Sequence, residues 1–177
     1  MRKSTSGFTI VELLIVIVVI GILAAITIVA YNGVQSRAHD TSVQSDLRNI
    51  AKKLEVGRVD SLTDSYPTTN ATIAASVDIK VNKSSYVITP AAAYNLLLCF
   101  PTLTNPTDYV LLAQSKSGKK FYIRGSGAIT EYTGGVSWGG TVAVMCDSVV
   151  TGWTASGAGY AAGDGTTGPW RSWAGGN

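Results

Sequence analysis

One acid stands where acids are costly. Glu12 interrupts the segment FTIVELLIVIVVIGILAAITIVAY at residues 8–31, which holds no other charged residue, and Leu13 to Ser36 are 24 consecutive uncharged positions. A carboxylate in lipid or in a bundle of helices is expensive unless it is paired, so the chemistry Glu12 can do is recognition of a specific partner. Other reactive side chains are sparse. His39 is the only histidine and lies beside Asp40 in a polar stretch, where a solvated role is expected. Asp60 and Asp64 are the close pair of acids in the first loop, with nothing to set them up as acid and base. Gly125-Ser126-Gly127 lacks the context of a nucleophile elbow, and no glycine loop is followed by Lys-Ser or Lys-Thr. DGTTG at Asp164 has too few carboxylates for calcium and reads as a turn. The expectation is a non-enzyme with no cofactor and no metal.

The element that carries Glu12 is membrane-like. As a helix, 24 residues rise roughly 36 Å, more than a bilayer core of about 30 Å. Thirteen Leu, Ile or Val residues between Leu13 and Val29 outweigh the insertion cost of a single acid. Arg2 and Lys3 precede the run, which orients the N-terminus to the cytoplasm and everything past about Ala30 outside. Those two residues belong to a total of only 14 Lys and Arg against 11 Asp and Glu, so no basic surface for nucleic acid is indicated. Cys99 and Cys146 then lie in an oxidising compartment, where a disulfide is expected.

KSTSGFTIVELLIVIVVIGILAAI at residues 3–26 resembles the leader and N-terminal helix of type IV prepilins and pseudopilins. The likeness covers roughly residues 3–31. It implies a leader of residues 1–7, cut by a prepilin peptidase after Gly7, and methylation of the new N-terminus at Phe8. It further implies that Glu12 pairs with the α-amine of Phe8 on a neighbouring subunit and so fixes the axial register of assembly. The alternative is that Glu12, about 6 Å along the helix from Phe8, simply reaches the headgroups and needs no partner. Gly21 is the weak point of the helix, at about 1 kcal/mol relative to Ala; the family often has a proline eight residues later, where this chain has Val29.

Beyond the apolar segment Val43, Leu47, Ile50 and Leu54 recur at helical spacing, with Arg37, Asp40, Asp46, Arg48, Lys52 and Lys53 mostly elsewhere. The pattern predicts one helix over 8–56, its 8–31 half in the membrane or filament core, with Gly57 as its stop. Residues 57–90 read as a loop with short strands near Val77–Val81 and Tyr86–Thr89, and the sequons at Asn70 and Asn82 read as chance matches. Tyr109–Gln114 and Lys120–Arg124 flank a polar turn as in a hairpin. Ala128–Tyr132 and Thr141–Cys146 complete an antiparallel sheet of about four strands. The disulfide would tie Leu96–Phe100 to the last strand and close a loop worth about 4 kcal/mol on the entropic model. In the glycine-rich tail, residues 147–177, the aromatic residues Trp153, Tyr160, Trp170 and Trp173 either pack across the sheet edge or form a surface for a ligand.

The expected fold is α+β, a long N-terminal helix packed on a C-terminal antiparallel sheet within a head at 57–177, as in pilins. The resemblance implies a homo-oligomeric helical filament built by a membrane-bound assembly machinery, its subunit a single-pass membrane protein before assembly and surface-exposed after it. Two alternatives stand beside a pilus subunit: a pseudopilin of a type II secretion or DNA-uptake system, and a membrane-tethered binding module that never polymerises.

Overall fold

A computed structural model of the chain describes residues 7–77, 79–87, 95–102, 104–136, 138, 142–153, 170 and 174–175. Helix α1 runs Ile10–Val59 and is followed by the short helix α2, Asn70–Ser76. Then come β1 (Ile79–Lys80), a 3-10 turn at Lys83–Ser85, β2 (Leu96–Cys99), β3 (Val110–Gln114), β4 (Lys120–Arg124), β5 (Thr130–Glu131), helix α3 (Val142–Val149) and β6 (Ala174–Gly175). The chain divides after Ser36 into two units.

The first unit is the apolar part of α1. Its side chains are exposed all round, from Ile10 through Val29, and it supplies a helix with a mean hydropathy of 3.3 over 18 residues, long and apolar enough to cross a membrane. A helix that is apolar on every side has no polar face to turn to water, which suits lipid or a bundle of like helices.

The second unit, from Arg37, is built on a four-stranded antiparallel sheet in the order β2-β3-β4-β5. The period-2 pleat sorts side chains to two faces. Leu96, Leu98, Leu111, Ala113, Phe121 and Ile123 face the stripe Val43, Leu47, Ile50, Ala51 and Leu54 of α1, and together they form the main core. Leu97, Cys99, Val110 and Leu112 point the other way and pack with Trp138, Met145, Cys146 and Trp153 in a second cluster. The β3–β4 hairpin turns through Ser115–Lys119, with Gly118 at φ +93°, a left-handed conformation that glycine adopts without strain.

Five features differ from expectation. The expected strand at Thr141–Cys146 is instead α3 from Val142 onward, while Thr141 lies outside the described residues. Val142, Met145, Cys146 and Val149 stand at i, i+3, i+4 and i+7, a helical period that the β-branched run disguised. The fourth strand of the sheet is therefore β2. Helix α1 continues through Gly57, which is buried on the packed face, to Val59. The loop after α1 contains α2, which buries Ile73 and is opened by a reciprocal capping box between Thr69 and Thr72. Ala128–Tyr132 shortens to Thr130–Glu131, and of Tyr86–Thr89 only Tyr86 pairs, in a bridge to Ser115, the last two residues lying outside those described.

Candidate functional site

The N-terminal site is local and polar at the head of an apolar helix. Gly7, Phe8 and Thr9 precede α1, and Phe8 is 88% exposed. Glu12 sits in the first turn. Its Oε2 accepts from the Thr9 backbone N–H at 2.8 Å and from the Thr9 hydroxyl at 2.7 Å, while Thr9 Oγ1 accepts from the Glu12 N–H at 3.3 Å. This is a capping box: two donors left over at the helix start are satisfied reciprocally. The sequence reading missed it, although Thr-Ile-Val-Glu before an apolar run is its signature. Both acceptor contacts use Oε2. Oε1 has no hydrogen bond among the described residues, so one carboxylate oxygen organises the helix start while the other remains open to an external donor.

Further along the same unit Gly21 lies within unbroken helix, with nothing near the position where a Cβ would stand. Thr27 returns its hydroxyl to the Ala24 carbonyl at 3.0 Å, which satisfies that polar group without a partner helix. The leader residues 1–6 lie outside the described residues.

In the second unit the polar groups are structural anchors. Asp46, 8% exposed, accepts from the Asn82 N–H at 3.0 Å and the Tyr86 hydroxyl at 3.1 Å. Burial raises its carboxyl above the usual carboxylate range, and the two hydrogen bonds pull in the opposite direction. Glu55 receives the Tyr66 hydroxyl at 2.9 Å, and the Tyr109 hydroxyl lies between the Ala51 and Gly125 carbonyls at 3.2 and 3.0 Å. Burial, reinforced by Glu55, pushes the Tyr66 phenol up to about 12 and Tyr109 higher still. The two rings meet edge to face, 4.6 Å between centroids. These contacts fix the angular seat of α1 on the sheet.

Cys99 and Cys146 are bonded, with Cα atoms 5.8 Å apart and both residues buried. The bond joins an edge strand to α3 rather than strand to strand. Trp153, at 8% exposed, packs beneath Arg124, 5.5 Å from the guanidinium, and Arg124 also forms a 2.6 Å ion pair with Asp108. Trp170 meets Tyr86 edge to face at 5.3 Å. Trp153 and Trp170 thus take the packing role, while Tyr160 and Trp173 lie outside the described residues. His39 approaches the Ser85 hydroxyl at 3.4 Å. No group of His, Cys, Asp and Glu able to hold a metal occurs among the described residues.

Residues 2–28 match the family described as "Prokaryotic N-terminal methylation motif". The chain is 33% identical over 76 residues to type II secretion system core protein G of Pseudomonas aeruginosa, covering 43% of this chain and 52% of the relative. It is 38% identical over 78 residues to the type IV wide pilus major component PilA4 of Thermus thermophilus, at 44% and 57% coverage. It is 35% identical over 97 residues to the type IV major fimbrial protein FimA of Dichelobacter nodosus, at 52% and 58% coverage. The chain thus spans a little over half the length of the curated relatives it matches. No solved structure matches.

Proposed function

We propose that this chain, one of the type IV pilins and pseudopilins, is a structural subunit of a type IV pilus-like filament. It is inserted in the membrane as a precursor with its N-terminus in the cytoplasm, cut by a prepilin peptidase after Gly7 and methylated at Phe8. The assembly machinery then moves it into a homo-oligomeric helical filament displayed at the cell surface. Apolar helices fill the filament core and the sheet-bearing heads cover it.

The observation that carries this reading is the divided carboxylate of Glu12. Oε2 is committed to Thr9 within the chain, and this reading gives Oε1 to the Phe8 amine of a neighbour. A charge-assisted bond there compensates the cost of the acid only at one axial offset between copies, so Glu12 rewards a single register. Gly21 offers the helix a place to yield during extraction from the membrane.

The likeness to type II secretion system core protein G supports a second reading, in which the same subunit is a pseudopilin of a type II secretion system. One experiment addresses both. Surface filaments are sheared from cells and their subunits examined by mass spectrometry. A chain that begins at methylated Phe8 and forms the bulk of the filament supports the pilus reading. The same processed chain absent from surface filaments favours the pseudopilus. A chain that retains Met1, or that starts near Tyr31, contradicts both.

A further inference from the structure

The face of α1 turned away from the sheet is ordered by chemistry. On the exposed side of α1, Arg48 and Lys52 are followed by Val56 and Val59 at 61 and 77% exposure, and the turn after the helix carries the exposed carboxylate Asp60 and Leu62 at 105%. Lys52 stands at the edge of a shallow concavity of about 280 Å³ formed by Asn49, Ile50, Lys53, Ile79 and Lys80. Lys53 and Lys80 have other interactions of their own, which leaves Lys52 as the cation we assign. Three exposed carbon side chains within seven residues of a solvated head, lying between Lys52 and the acidic turn, are a candidate contact surface.

Lys52 and Asp60 are eight residues apart, about 12 Å along the helix axis. One chain cannot join them to each other. We propose that this face links one copy of the chain to the next head-to-tail: the Lys52 concavity of one head receives the Asp60 turn of its neighbour, and Val56, Val59 and Leu62 exclude water beside the ion pair. Every copy then uses both halves of the surface, the arrangement that propagates into a filament when its rotation does not close. This inference rests on the filament reading and assigns the residues that join the heads, as Glu12 joins the helices.

A charge exchange tests it. Lys52→Glu and Asp60→Lys are each expressed, along with the double variant that carries both, and filament yield is measured against membrane-bound subunit and its oxidised disulfide. Each single change is expected to lower filament yield at least tenfold with subunit level and oxidation unchanged, and the double variant to restore it. Single variants that assemble normally, or a double variant no better than either single one, overturn the contact. The pair Lys52→Cys with Asp60→Cys provides a second readout. Their Cα separation within one chain exceeds the span of a disulfide, about 7 Å at most, so oxidised filaments should yield a covalent ladder, and its absence overturns the contact. If the unaltered chain forms no filament, the premise fails and this contact falls with it.

Discussion

Thr9 and Glu12 hold each other at the head of α1, the Glu12 Oε2 atom 2.7 Å from the Thr9 hydroxyl and 2.8 Å from its backbone nitrogen. An acid that had looked unpartnered in a single chain has an internal partner. The box gives the carboxylate one direction before any neighbour arrives, which lowers the ordering cost of pairing.

Thr9→Ala removes the hydroxyl from this box. Loss of such a cap costs about 1 kcal/mol of helix stability. The expected result is a several-fold fall in filament yield at normal subunit levels, quantified by shearing and immunoblot, since Glu12 keeps its charge and its backbone donor but loses the hydroxyl that helps to aim it. Thr9→Ser keeps the oxygen and should restore yield.

Cys99 and Cys146 are buried within the second cluster, among Leu97, Val110, Leu112, Trp138, Met145 and Trp153. Reductant alone should leave the bond intact, and reduction should require denaturant. The Cys99→Ser, Cys146→Ser double variant should lose about 4 kcal/mol if loop entropy dominates, measured as a lower urea midpoint for the detergent-solubilised chain. Near-ultraviolet signals from Trp138 and Trp153 should weaken first, because α3 is the element the bond tethers.

Asp46 gives the head an acid-side pH dependence. Burial raises its folded pKa, so the folded state binds the proton more tightly than the unfolded chain, whose value is about 3.9. The sign follows from linkage: this contribution is full below pH 4 and is lost as pH rises through the raised folded value. Asp46→Asn keeps an acceptor for Asn82 and Tyr86 and removes the titration. Thermal melts from pH 4 to 7 should show the variant gaining on the unaltered chain as pH rises.

Tyr66 acts at the other end of the scale. Its phenol is pushed up to about 12, so the stability it confers is complete below pH 10 and declines as pH climbs toward 12. Absorbance titration near 295 nm should find this phenol ionising late. Tyr66→Phe should delete the step near pH 12 and move alkaline unfolding to lower pH, because Glu55 then loses its shorter phenol donor.

Much of this fold was legible because its strongest signals are periodic. Val43, Leu47, Ile50 and Leu54 announced the packed face of α1, and the polar turn Ser115–Lys119 between Tyr109–Gln114 and Lys120–Arg124 announced the hairpin. Asp46 lies on that same apolar face, three residues after Val43, yet a charge there reads as solvated until Asn82 and Tyr86 come into place from far along the chain. Helix α3 was obscured because Val-Ala-Val favours strands locally, and only packing of Met145 and Cys146 on the sheet decides otherwise. Helix α2 is too short and too rich in Thr, Asn and Ser for propensity to reveal it; Ile73 and Val77 anchor it from the core. At the candidate site Glu12 was evident from its isolation. Its internal partner was in view three residues earlier, but the apolar run drew the reading toward a partner in another molecule.

The central claim is that the charge of Glu12, beyond its shape and its cap, directs assembly. Glu12→Gln separates these, since the amide oxygen can still accept from Thr9 while the negative charge is gone. Filament yield from cells expressing Glu12→Gln, normalised to processed subunit in the membrane, should fall at least tenfold. Filaments of normal yield from that variant would contradict the account.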